Sequence, residues 1–254
     1  MSHLSYYVFF LGVALEGILA YRLIKGALWR YYPFFAFYIA YVAAQSIIGI
    51  AILQSAPGAY PVWFWRIGVG NICLRFLVIW EVFRHTFPKA SPLRRMVTRQ
   101  FTIGVLALST VLSGMLWAIE IYGKSHSVYL AMERSFGFVQ AVLVLTVLIL
   151  ARYYHLAVGR NIWGIAVAFG MYSSLSTAAS ALVDLAHSSF FPFWYFLSPL
   201  SVVAMLSLWT WALWIYAPNP IPNADTLIDA TGDFDRWPED WGRAISTVRK
   251  VMHP

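Results

Sequence analysis

Charge is what this chain has least of. Only 11% of its 254 residues are Asp, Glu, Lys or Arg, where soluble domains carry about 25%. Such a surface cannot be that of an ordinary water-soluble domain. Cysteine is nearly absent: the single Cys73 excludes an intrachain disulfide, dithiol redox chemistry and thiolate clusters for zinc or iron–sulfur. The four lysines, Lys25, Lys89, Lys124 and Lys250, all fall outside the apolar stretches, which excludes a covalent retinal Schiff base within a helix. There are no His-rich boxes, no H-E-x-x-H zinc motif and no internal repeat. Val111 stands where a rhomboid-like nucleophile motif around Ser113 needs glycine, so Ser113 reads as a packing residue.

What the chain does have is apolar length. It is 60% hydrophobic with mean hydropathy +0.66, and seven runs stand out, near 4–24, 33–54, 63–84, 98–121, 128–151, 162–186 and 193–216. Each holds roughly 20 residues, enough at about 1.5 Å per residue to cross a hydrocarbon core about 30 Å thick. The runs are continuous rather than alternating, which excludes a transmembrane barrel. Rings gather at their ends, among them Trp29, Tyr31, Tyr32, Trp63, Trp65, Trp117, Trp163, Trp194, Trp214 and Tyr216, where amphipathic aromatics favour the headgroup layer. The expected fold is therefore all-α, a seven-helix transmembrane domain over 1–217 followed by a tail over 218–254.

Orientation follows from the basic residues. Arg22, Lys25 and Arg30 follow the first run, Arg84, Lys89, Arg94, Arg95 and Arg99 the third, and Arg152 and Arg160 the fifth, while the alternate loops hold only Lys124. This bias places the N-terminus outside and the C-terminus in the cytoplasm, with the first run an uncleaved reverse signal-anchor. Residues 1–217 carry a net charge of +9 and the tail −2. The excess sits on the inner face, so its partner is the anionic lipid of the inner leaflet and not nucleic acid.

Pro218, Pro220 and Pro222 take the tail out of helix;. The acidic positions Asp225, Asp229, Asp233 and Asp235 lack EF-hand spacing;. A short amphipathic helix is expected over about 238–252, with Trp241, Ile245, Val248 and Met252 on one stripe suited to the membrane interface or to a partner protein;.

Charges inside apolar runs are costly unless paired or hydrated, which makes them the sharpest functional pointers. Glu16 and Arg75 lie just past the midpoints of runs one and three, and their similar depth suggests an intramembrane ion pair. A second group gathers toward the outer side: Arg66, Glu120, Glu133, Arg134, Asp184 and His187, with His126 nearby. It reads either as a polar cup for an external ligand or as headgroup-level charges and salt bridges. The small residues Ser173, Thr177 and Ala181 recur at four-residue spacing in run six, the pattern of close helix packing. Glu81 and His85, four apart, form a potential local pair;. No two histidines share a helix at ligand spacing and none is inside an apolar run, which argues against haem; no metal site and no other cofactor is expected.

Arg-Tyr-Tyr-Pro-Phe-Phe at Arg30–Phe35 and Trp-x-Tyr-x-Pro-Asn-Pro at Trp214–Pro220 resemble bacterial seven-helix integral membrane proteins of similar length. The likeness implies a multi-pass protein of the bacterial cytoplasmic membrane, but with no activity attached to it, it assigns no residue a role. With no catalytic set in view, the leading expectation is a non-enzymatic protein that binds or senses a small or lipidic ligand. Alternatives are an accessory subunit of a larger membrane complex, with a protein partner or a homo-oligomer, and a small-molecule or ion transporter using Glu16 and Arg75.

Overall fold

The computed structural model is all-helical, with no strand among the residues it describes: 3–87, 98–99, 125–153, 156, 158–186 and 191–217. Six helices are described: α1 (His3–Lys25), α2 (Pro33–Ser55), α3 (Tyr60–Thr86), α4 (Ser125–Tyr153), α5 (Arg160–Ala186) and α6 (Phe191–Leu213). Four segments, Tyr7–Lys25, Pro33–Ser55, Glu133–Tyr153 and Arg160–Ala179, are long and apolar enough to cross a membrane. Helix is the form that a continuous apolar run takes in lipid, because it satisfies every backbone N–H and C=O internally. α3 is also long, at 27 residues, but carries Arg75, Glu81 and Arg84. Two of these, Arg75 and Glu81, are buried inside the bundle. The expected run at 98–121 and the tail beyond 217 lie outside the described residues, apart from positions 98 and 99.

Short turns fix the hairpins. Between α1 and α2 the chain bends through Gly26 and Ala27, whose φ of 49° is the left-handed conformation that side chains resist;. A Cβ on Gly26 would lie 3.0 Å from the Arg22 carbonyl oxygen, so glycine permits the close turn. Prolines open α2 and α3, where the missing N–H costs nothing. The start of α2 is also held by its neighbour: Glu81 of α3 accepts hydrogen bonds from the backbone N–H groups of Phe34 (3.1 Å) and Phe35 (2.8 Å). A carboxylate at a helix N-terminus satisfies orphan donors and opposes the helix dipole. His85 meets the Tyr32 ring edge-on.

The helices close into a ring. Each packs on the next in chain order, α6 packs on α1, and α3 also touches α5. The core within the ring is aromatic at its centre: Trp209 is fully buried, with Phe35 and Tyr38 edge-on to it at 5.0 and 6.0 Å and Phe169 stacked at 6.2 Å. Its indole N–H donates to the Ile165 carbonyl, as a buried indole requires. The outward faces, such as Phe37, Ile47, Val142, Leu145 and Ile149, are exposed and apolar, as lipid contact demands.

Consecutive helices run antiparallel except at two seams. α1 and α6 are parallel, since Gly12 lies opposite Val203 and Arg22 bonds to Leu213. α3 and α4 are parallel as well, because α3 opposes α2, α4 opposes α5 and α5 opposes α6. The C-terminal ends of α1, α3, α4 and α6 and the N-terminal ends of α2 and α5 thus share one end of the bundle. Arg22, Lys25, Arg30, Arg84, Arg152 and Arg160 all lie at this basic end.

Candidate functional site

A charged network occupies the interior between α2, α3, α4 and α5. Arg75 Nη1 donates to Glu133 Oε1 at 2.6 Å, and Nη2 donates to the Tyr172 hydroxyl at 2.9 Å. The guanidinium also lies 4.9 Å from the Tyr172 ring centroid, and the Tyr38 hydroxyl is within hydrogen-bonding reach of it. The ion-paired side chains are 5% and 9% exposed. In so apolar a setting each charge requires the other. Four helices contribute one group each, so the network ties them together through a single guanidinium.

More polar groups surround it. Gln140, seven residues beyond Glu133 on the same face of α4, is fully buried and donates to the Ile72 carbonyl at 3.3 Å. Its Oε1 has no partner among the described residues, nor do Ser173 Oγ and Thr177 Oγ1 on α5, nor Asn71 Oδ1 on α3. Gly137 faces the two α5 hydroxyl residues: a Cβ there would lie 2.8 Å from Thr177 Oγ1. The small residues of α5 thus do admit a close neighbour, and two of them, Ser173 and Thr177, carry unclaimed hydrogen-bonding capacity. A buried acceptor without a donor costs about 1–3 kcal/mol, and such atoms signal water or a ligand.

The expected Glu16–Arg75 pair does not form. α1 and α3 make no contact in the ring, since α2 stands between them, and equal depth cannot bridge an intervening helix. Arg75 turns to Glu133, a residue the sequence grouped with the outer charges. Glu16 is buried and accepts one long hydrogen bond, 3.4 Å, from the Ser46 hydroxyl of α2; its Oε2 is buried without a partner. The outer group is correspondingly divided. Glu133 points into the bundle, whereas Arg134 beside it on α4 is exposed. The side chains of Arg66, His126 and Asp184 lie outside the described residues, as do Glu120, His187 and the tail positions Trp241, Ile245, Val248 and Met252.

Tyr38, Gln140 and Tyr172 were not legible as members of a site. Gln140 offered a signal, a lone amide in an aliphatic run one heptad from Glu133; the tyrosines read as ordinary span aromatics. Among the described residues no group of three His, Cys, Asp or Glu could hold a metal ion.

At the basic end the last turn of α6 is held from both sides. Arg22 Nε donates to the Leu213 carbonyl at 3.3 Å, and Arg160 Nη2 to that of Ile215 at 3.2 Å. Asn161 receives the Ala217 N–H at 2.7 Å and donates to Ile215. Cations at the carbonyl end of a helix complement its dipole. Just outside the spans, burial pushes the Tyr32 phenol above its ordinary range.

Fold and site together define a helical membrane protein with a charged, incompletely satisfied interior. Compared with known proteins, the chain matches no family model, no curated sequence and no solved structure.

Proposed function

We propose that this is a non-enzymatic, multi-pass protein of the bacterial cytoplasmic membrane that binds or senses a small ligand inside its bundle. The Arg75–Glu133 pair forms the recognition centre, with Tyr172, Gln140, Ser173 and Thr177 around it. The observation that carries this reading is the coincidence of a buried ion pair with unpartnered acceptors and hydroxyls on the facing walls of α4 and α5. A clamp that served only to hold helices together would gain nothing from those unpartnered atoms, whereas a ligand offering donors would satisfy them. A small polar molecule, or the polar part of a lipid, fits this chemistry.

In this reading the chain crosses the membrane seven times, N-terminus outside, with the basic end in the cytoplasm. Phe87 closes α3 at the basic end, and Ser125 begins α4 at the opposite one. The apolar stretch at 98–121 between them is long enough for a further span;. The concentration of arginines at one end supports the orientation.

The test is purification in mild detergent, mass spectrometry of retained small molecules, and a thermal-shift screen of polar and lipidic compounds. Binding should be lost in Glu133→Gln and Arg75→Gln and kept in Glu16→Gln. A stoichiometric co-purifying protein would instead favour the accessory-subunit alternative, and proton-coupled flux in vesicles the transporter. Ligand stabilisation unaffected by Arg75→Gln would refute the site.

A further inference from the structure

The geometry points to a second site, at the basic end, for one anionic phospholipid held on the outside of the bundle between α1 and α6. A groove of about 370 Å³ runs there, walled by Leu15 of α1, Ser207 and Trp211 of α6, and Trp214 and Ile215 beyond it, with Arg160 of α5 at its mouth. Three observations make it more than a generic membrane-facing surface. First, Arg160 is exposed and already oriented: one N–H is bound to the Ile215 carbonyl, and its guanidinium lies 5.8 Å from the Trp211 ring centroid. A guanidinium has five N–H donors in a planar fork suited to phosphate, and those not bound to Ile215 have no partner among the described residues. The positive head is held in place by α6 and still open to an anion.

Second, the groove leads from that cation toward mid-membrane. Leu15 lies ten residues before the end of α1 and Ser207 six before the end of α6, so at about 1.5 Å per residue the trough descends about 10–15 Å from the charge. Phosphate at Arg160 and an acyl chain along Trp211 and Leu15 is the layout a phospholipid requires. Third, the lining includes no carboxylate, so a second copy presenting this same groove would bring no anion to Arg160. Lys25 over Tyr21 and Arg30 over Trp29 repeat the cation–ring pairing at the same end, but neither lines this groove. The site is independent of the interior network: its failure would leave the ligand reading untouched, and the reverse holds too.

The test uses the full chain in detergent micelles, with lipid adducts counted by native mass spectrometry and affinity measured by titration. Phosphatidylglycerol should bind in one high-affinity copy, and phosphatidylcholine much more weakly. Arg160→Gln should weaken the anionic lipid about fivefold or more, Arg160→Lys less, and Ser207→Trp should abolish the high-affinity copy by filling the trough. Arg84→Gln, an exposed arginine at the same end but outside the groove, should have no effect on it. Equal binding of both lipids, equal losses from Arg84→Gln and Arg160→Gln, or retained binding in Ser207→Trp would each overturn the proposal. So would displacement by free glycerol phosphate as effective as by the whole lipid, or a change of oligomeric state in place of lost lipid in Ser207→Trp.

Discussion

Removing one member of the interior ion pair should damage the bundle far more than removing Glu16, although both acids are buried at comparable exposure, 8% and 6%. The difference lies in their partners. Arg75 and Glu133 approach to 2.6 Å; for charge centres about 4 Å apart at an effective dielectric near 20, the attraction is about 4 kcal/mol. Glu133→Gln keeps the shape of the side chain but removes the negative charge that the buried guanidinium faces. Arg75→Gln removes the cation that the carboxylate pairs with and releases Tyr172 and Tyr38 as well. Losing one partner of a buried pair costs about 3–5 kcal/mol, so each single variant should lose roughly that much. The double variant should recover about 2–3 kcal/mol of the summed loss, as contacting residues do. Glu16→Gln removes a carboxylate with one weak hydroxyl contact and should cost about 1 kcal/mol or less. Combined with Arg75→Gln it should be additive within about 0.5 kcal/mol. The assay is reversible unfolding in mixed micelles, read by tryptophan fluorescence, with both cycles run side by side. A coupling near zero for Arg75 with Glu133, or a larger one for Arg75 with Glu16, would refute the arrangement of helices on which this rests.

Cysteines introduced at Ala59 and Ser189 in a background with Cys73→Ala should react with an impermeant thiol reagent from outside, while those at Ala90 and Ala230 should not; the reverse pattern would invert the orientation. Ala27→Gly should raise stability by up to about 1 kcal/mol, because it relieves a left-handed residue with φ of 49° at the cost of some added chain entropy; a lower melting temperature would show that the turn is not strained. Gly164→Leu should separate α5 from α6, since even a methyl at Gly164 runs into Ala212 Cβ, and lose about 1–3 kcal/mol. A red-shifted Trp209 emission would report the opening, and an unchanged spectrum and melt would count against this packing.

The positions of the six described helices were readable to within a few residues. The run at 33–54 became Pro33–Ser55 and that at 162–186 became Arg160–Ala186, because apolar length and basic flanks are properties of each segment alone. Azimuth and neighbours were not readable. Depth along the chain put Glu16 level with Arg75, but which helices touch depends on how the ring closes, and α2 occupies the space between them. Glu133 looked like an outer charge because it stands near the start of its apolar run. The side chain of Arg75 reaches toward the N-terminal end of α3 to meet it, as long helical side chains lean toward their own N-terminus;. The Glu81 bonds to the start of α2 were hidden for the same reason: they cross between helices, where spacing along one helix gives no signal.

The parallel seam between α1 and α6 has a consequence for biogenesis. Arg22 and the carbonyl that receives it are 191 residues apart in the chain, and a ribosome adding about 5–20 residues per second needs about 10–40 s to make that stretch. Throughout that interval the first helix is already in the bilayer with one flank waiting for a neighbour not yet synthesised. Lipid, or an insertion chaperone, must shield that flank until the last helix arrives. A nascent chain that stalls before Phe191 therefore displays the flank of α1 that carries Gly12 and Arg22, which α6 covers in the finished protein, along an open ring edge, a ready signal for membrane quality control.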